Sequence, residues 1–231
     1  MGGNGGGRPW GGREYWQGRF GSGDTPWELG VASPVVLEGL ELLKTQVGFK
    51  LEGSRVLVPG CGRGSDALAL VLAGANVVAV DWSEAAVTAL SQRYEELKKS
   101  GAAVGQLKVL QGDFFALEPE QVDLVCEHTF FCAIDPSTRT RYVKAVNKWL
   151  KPGGYLFGNF FILSEAQAKE LPALSMGRDG QGPPFAATEA EVVLLFGHDF
   201  VKLILQPAKN PDPKRRPGME WVGVFEGRRS L

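Results

Sequence analysis

Short apolar runs recur along the chain, set apart by turn residues and amphipathic stretches. Val56-Leu57-Val58, Val77 to Val80, Leu107 to Leu110, Val122 to Glu127 and Tyr155 to Leu163 read as five strands. Helical patterns fill the gaps. Ser33-Pro34 starts a helix whose apolar positions are Val36, Leu37, Leu40 and Leu43. A helical stretch follows the turn Gly60-Cys61-Gly62-Arg63-Gly64. Ser83 caps a helix, with Glu84 in its first turn, that runs to about Ser100. Asp135-Pro136 opens another, stopped at Lys151-Pro152-Gly153-Gly154. Thr188 caps one reaching Phe196, with Glu191 completing a capping box. Residues 164–187 read as a long loop with a short helix, and residues 13–30 have no clear period. The last two apolar runs, Phe200 to Leu205 and Trp221 to Phe225, are separated by a segment too rich in proline and charge for a helix. They are therefore expected to pair antiparallel. The whole pattern predicts an α/β fold: a mixed sheet of about seven strands with helices on both faces.

Length and composition narrow the field. A chain of 231 residues, 44% hydrophobic, suits one sizeable domain, here residues 13–231, with 13–45 as an N-terminal lid and helix segment. Residues 1–12 (MGGNGGGRPWGG) read as a flexible lead with no secretory core; Gly6 makes a poor myristoylation site. A net charge of -1 points to neither nucleic acid nor membrane as partner, and no apolar run reaches the ~20 residues of a membrane helix. Three cysteines, Cys61, Cys126 and Cys132, without metal-site spacing fit reduced thiols in a cytoplasmic protein. Two histidines, His128 and His198, cannot make a His-rich metal site, so no metal is expected. A monomer is the default state.

The chemistry clusters at strand ends. The order strand, glycine loop, helix, strand, Asp81 builds a nucleoside pocket, because glycines admit a ligand to the backbone and a carboxylate can bind a ribose diol. Gly62-x-Gly64-x-x-Ala67 also satisfies the dinucleotide fingerprint, which leaves a nicotinamide-dependent oxidoreductase open. The closing antiparallel pair stands against it. Asp113 and Phe114, after the third strand, can meet an adenine amino group and cover a base; Asp113 can equally be a turn acid. His128, in Glu127-His128-Thr129-Phe130-Phe131, can orient a cofactor group, serve as a base, or be structural. Tyr15, Trp16, Phe20 and Trp27 can form a lid whose ring faces attract a cation, or plain core. Gly182-Pro183-Pro184-Phe185 is a rigid loop holding one aromatic, as a pocket wall or a turn.

Together, TPWELG, VPGCGRG with the aspartate after it, VVAVDWSE, GDFF, TFFCAIDPSTR, KPGGYL and GPPF resemble the thiopurine methyltransferase superfamily of class I S-adenosylmethionine-dependent methyltransferases. The similarity covers about residues 13–227 and leans toward the plant-type halide, thiocyanate and thiol methyltransferases. It implies a Rossmann-like methyltransferase domain with S-adenosyl-L-methionine as cofactor. It implies that Trp16 and Trp27 enclose the cofactor, the backbone at Gly60 and Gly62 holds its methionine end, Asp81 binds the ribose with Trp82 beside the adenine, and Asp113 and Phe114 hold the adenine. His128 falls where plant-type members carry a tyrosine near the methionine end, and Arg139 matches an arginine near the substrate; these two are the expected catalytic residues. Phe20, Phe130 and Phe185 are the expected walls of the acceptor pocket. Departures from the family pattern lie around that pocket: a longer Trp16–Trp27 spacing, Gly12 in place of an aromatic, His128 itself, and a longer segment after the fifth strand. The expected reaction is in-line methyl transfer to a small soft nucleophile, a thiol, thiocyanate or halide, governed by orientation and exclusion of water. Such acceptors need no strong base, and no catalytic dyad is evident in the sequence. A scaffold that binds the cofactor without turnover is the non-enzymatic alternative.

Overall fold

A computed structural model describes residues 11–170, 183–214 and 218–228. The glycine-rich lead up to residue 10 and much of the expected 164–187 loop lie outside them. Among the described residues the strands are β1 (Arg55–Pro59), β2 (Asn76–Asp81), β3 (Leu107–Gln111), β4 (Val122–His128), β5 (Leu150–Leu163), β6 (Ala187–Thr188), β7 (Phe200–Pro207) and β8 (Glu220–Gly227). The sheet order is β3-β2-β1-β4-β5-β8-β7, and the two-residue β6 pairs beside β5. Strands β1 to β5 are parallel, whereas β8 runs antiparallel to both β5 and β7. The order reverses between β1 and β4, which opens a crevice at the carboxyl ends of the strands.

The helices are α1 (Arg13–Ser22), α2 (Pro34–Leu42, continued by a π turn over Leu43–Val47), α3 (Ser65–Leu72), α4 (Glu84–Lys99), α5 (Arg139–Trp149), α6 (Glu165–Glu170) and α7 (Glu189–Phe196). They cover both faces, so the central strands are buried nearly throughout. Alternate residues feed two different cores. Val56, Val58, Val77, Ala79 and Leu124 enter a largely aliphatic one with Val35, Leu42 and Leu70. Leu57, Val78, Val80 and Val125 enter an aromatic one with Phe131, Tyr142, Trp149, Phe160, Phe196 and Phe225. There Phe196 stacks on Phe225 with ring centres 4.8 Å apart.

Most local signals hold. Ser83 Oγ accepts the Ala86 N–H at 3.3 Å, and Thr188 Oγ1 accepts the Glu191 N–H at 3.1 Å. Four expectations need correction. Residues 13–22 are helical although their apolar residues follow no helical stripe; α1 is held by specific contacts described below. Leu37 points outward, 51% exposed, because the buried face of α2 centres on Val35, Val36 and Leu42. The Lys151-Pro152-Gly153-Gly154 stop lies inside β5: α5 ends at Trp149, Leu150 already pairs with Val122, and the register jumps so that Leu124 meets Tyr155. The capping box is half made, because the Glu191 carboxylate turns away from Thr188 to pair with Arg139.

Candidate active site

A cavity of about 440 Å³ opens at the carboxyl ends of β1 to β4, within the range of small-molecule sites. Its floor is the turn after β1. Gly60 and Gly62 adopt φ values of 60° and 54°, in the left-handed region. A Cβ at Gly60 would run into the Phe130 ring, and one at Gly62 into the Glu28 carboxylate. Both glycines thus let a side chain from another segment close on the loop.

The amides of this loop are already engaged. Cys61 N–H donates to Val80 O at 2.9 Å, Gly62 N–H to Asp81 Oδ2 at 2.9 Å, Arg63 N–H to Glu28 Oε1 at 3.2 Å and Gly64 N–H to Cys61 O at 2.9 Å. A pyrophosphate cradled by this loop would need those four N–H donors. It would also meet Glu28 and Asp66 at close range, since both line the cavity. The geometry therefore disfavours a dinucleotide. What the loop offers is carbonyl oxygen, close backbone approach and carboxylate, which suit a cationic group.

Asp81 is 8% exposed and lines the cavity. Besides Gly62 it accepts the Ser83 N–H at 2.9 Å. Burial raises its carboxyl above the usual range, and the backbone N–H bonds oppose that rise. Glu28, unassigned by the sequence, behaves alike: burial raises its carboxyl, against the Arg63 N–H and the charges of Arg63 and Arg93. Trp82, Asp113 and Phe114 also line the cavity. Asp113 caps its own turn through the Phe115 N–H at 2.9 Å. Phe114 is 4% exposed, and its ring packs edge-on to Phe130 at 5.6 Å, so it shows the cavity only a margin.

The segment carrying α1 covers the cavity. Trp16 and Trp27 meet edge-to-face at 5.4 Å, and Phe20 meets Trp27 at 5.8 Å. The cation expected on an indole face is partly supplied from within, because the Arg19 guanidinium lies 4.7 Å from the Trp27 ring centre. The lid is fastened by Gln17, whose Oε1 accepts the Glu84 N–H at 2.8 Å, and by Arg63, which donates to Thr25 Oγ1 at 3.1 Å and Phe20 O at 3.3 Å. Phe20 is therefore placed against the glycine loop, whereas Phe130 lies over Gly60.

At the end of β4 the structure reveals a pair that the sequence did not announce. His128 Nδ1 and Asp66 Oδ2 are 2.7 Å apart, with side chains 12% and 16% exposed, and both residues line the cavity. Asp66 Oδ1 also accepts the Ser33 N–H at 2.7 Å. The only sequence signal was an acid in the first turn of α3, which reads as a routine helix-start charge. No such pair is evident in the sequence, because its members lie 62 residues apart.

Two expected site residues fall elsewhere. Arg139 is 2% exposed and is absent from the cavity lining. It pairs with Glu191 at 2.6 Å, donates to Phe185 O at 2.8 Å and Ala186 O at 3.2 Å, and covers the Phe131 ring. It is a clamp between α5 and the segment before α7, made through its two terminal nitrogens. Phe185 is 2% exposed within that clamp; Pro183 and Pro184 line the cavity instead.

Comparison with known proteins follows this geometry. The model of the thiopurine S-methyltransferase family matches residues 12–222. A probable thiol methyltransferase 2 of Arabidopsis thaliana is 32% identical over 216 residues, covering 91% of this chain and 84% of that protein. Thiocyanate methyltransferase 1 of Brassica oleracea is 29% identical over the same shares of the two chains. The fold is shared with a Burkholderia thailandensis 1,6-didemethyltoxoflavin-N1-methyltransferase solved with S-adenosylhomocysteine. The TM-score is 0.68 at 17% identity, covering 94% of this chain and 87% of that one.

Proposed function

The chain belongs to the thiopurine S-methyltransferase family and is an S-adenosylmethionine-dependent methyltransferase, and from that premise we propose that it methylates a small soft nucleophile inside the aromatic-lidded cavity. When bound, the cofactor supplies an electrophilic methyl group on a sulfonium. Residues 13–231 act as one methyltransferase domain; the continuous sheet supports this.

The cavity fits the cofactor's chemistry. Asp81 accepts the ribose hydroxyls, and Trp82, Asp113 and the margin of Phe114 flank the adenine. Glu28 and the carbonyls at Gly60 and Gly62 receive the cationic methionine end. Trp16 and Trp27 close over it from α1 and the turn that follows. The observation that carries this reading is the carboxylate-bearing glycine loop, with its amides already spent, under a tryptophan lid. That combination recognises a cation-bearing nucleoside. Phe20, Phe130 and the lid exclude water from the acceptor, which favours attack by a desolvated sulfur or halide.

The acceptor is a small molecule, with no nucleic acid involved, and the chain works as a cytoplasmic monomer. Cys61, Cys126 and Cys132 form no disulfide, which suits a reducing compartment. No helix among the described residues is long and apolar enough to cross a membrane. Purified protein given methyl-labelled cofactor and a panel of thiols, thiocyanate and iodide should label at least one of them. Failure with all, while S-adenosylhomocysteine still binds, would leave only the scaffold alternative.

A further inference from the structure

We propose that Asp66 and His128 form a proton-accepting pair, so that this chain takes its acceptor as a neutral thiol and not as a halide or thiocyanate anion. The proposal rests on the methyltransferase reading above. It starts from the 2.7 Å contact between His128 Nδ1 and Asp66 Oδ2 at the cavity wall. A carboxylate gripping Nδ1 keeps the proton there and leaves the lone pair on Nε2, the arrangement a general base requires. Asp66 is itself held by the Ser33 N–H at 2.7 Å.

The backbone at His128 is set with equal firmness. Thr129 sits at φ 62°, an unusual conformation for a β-branched residue. Glu127 Oε1 spans it by accepting the N–H groups of Phe130 at 2.6 Å and Phe131 at 2.9 Å. Strain of this kind persists only where surrounding bonds impose it, and here it fixes the ring that faces the cavity.

The charge of the wall selects the neutral form. Glu28, Asp66, Asp81, Asp113, Asp135 and Asp212 line the cavity. Among the described residues its permanent cations are Arg19, Arg141 and Lys214. Arg19 is spent on Trp27, Tyr15 and Asp24, and Arg141 covers the Phe115 ring at 4.6 Å. An anion arriving from water would lose its hydration against carboxylates. A neutral thiol pays neither cost and becomes an anion only in place. The Asp66 carboxylate, in contact with the ring, stabilises the imidazolium that forms; burial raises the Glu127 carboxyl on the same strand and pushes the thiol of Cys126 well up.

In the step itself the acceptor's S–H bond breaks, with the proton passing to His128 Nε2 and the electron pair staying on sulfur. That pair forms the new sulfur–carbon bond to the methyl carbon, whose old bond to the sulfonium breaks and leaves its pair on the departing sulfur. The imidazolium then returns its proton to solvent.

The test compares an alkanethiol with the more acidic thiophenol, whose neutral form, still present at neutral pH, gives up its proton far more readily and so depends less on a base. His128→Gln and Asp66→Asn are expected to lower kcat/KM for the alkanethiol about 100-fold, the usual scale of general-base catalysis. The loss should shrink markedly with thiophenol. Nitrogen-15 NMR of cofactor-free protein should show the Nδ1–H tautomer at His128, and Asp66→Asn should abolish that preference. Equal losses on both thiols, an Nε2–H tautomer in the wild type, or faster turnover of thiocyanate or iodide than of alkanethiol would each overturn the proposal. Calorimetry with S-adenosylhomocysteine separates the levels: no binding by the wild type removes the methyltransferase reading and the base with it.

Discussion

The tips of β2 and β4 solve one problem in two ways. Each carries a buried carboxylate at its end, Asp81 as the last residue of β2 and Glu127 one before the last of β4, and each carboxylate accepts two backbone N–H groups. Asp81 reaches across to Gly62 on a different turn as well as to Ser83, and it still lines the cavity. Its bonds tie two loops around a space and leave it able to accept more. Glu127 is fully buried and spends its bonds on its own turn; its second oxygen has no hydrogen-bond partner among the described residues. That turn holds Thr129 in the left-handed region and presents His128 to the cavity. On the proposed function, a carboxylate shared between loops makes a receptor, while one closed on its own turn makes a mount. Burial raises both carboxyls, so the shift by itself does not distinguish the two roles.

The widest break in this comparison should come from Asp81→Asn. Charge-assisted hydrogen bonds contribute about 1.5–3 kcal/mol each, so losing the carboxylate toward a ribose diol costs at least about 3 kcal/mol. Calorimetry should show S-adenosylhomocysteine binding at least about 100-fold weaker, with the circular dichroism spectrum retained, because Asn can still accept the Gly62 N–H. A wild-type affinity in this variant would mean that Asp81 only ties loops, as Glu127 does.

Glu127→Gln should act on stability instead. Burial raises the Glu127 carboxyl from 4.5 to about 7, while the N–H groups of Phe131 and Phe130 and the charge of His128 pull it back. The folded protein therefore holds a proton that the unfolded chain releases. The stability tied to this group is complete below pH 4.5 and is lost as pH rises through about 7, up to about 3 kcal/mol. Urea titrations at pH 5 and pH 8 should show that loss in the wild type and little of it in Glu127→Gln. Equal slopes with pH in both proteins would refute the assignment.

Arg139→Met should give the smallest effect and mark the edge of the β4 region. It removes three hydrogen bonds from a charged donor, to Phe185 O, Ala186 O and the half-exposed Glu191, but also the cost of burying the guanidinium, so the net loss is about 2 kcal/mol. The melting temperature should fall while KM for cofactor and acceptor stays put. A raised acceptor KM at unchanged stability would return Arg139 to the site.

Much of this was readable before any coordinates. Strand and helix positions followed from local period and caps such as Ser83 and Thr188, since those signals act within a few residues. The glycine loop, Asp81 and Trp16 with Trp27 were legible because loop chemistry and strand-end carboxylates are short-range patterns. α1 was not legible, since its anchors, Gln17 to Glu84 and Arg63 to Thr25, join segments far apart in the chain. Nor was the partner of Arg139: an arginine at a helix start looks the same whether it meets a substrate or Glu191.

The sequence by itself determined an α/β sheet with a cavity at its glycine turn, because hydrophobic period and glycine placement dictate how nearby residues fold. Only the tertiary structure decided what faces what: that Asp66, in the first turn of α3, grips His128 from β4, that Glu28 closes on the glycine loop, and that Arg139 and Phe185 turn away from the cavity. Those pairings span 62, 35 and 46 residues of chain. A side chain's role depends on the group it meets, and across such distances the sheet order, not the local sequence, chooses that group.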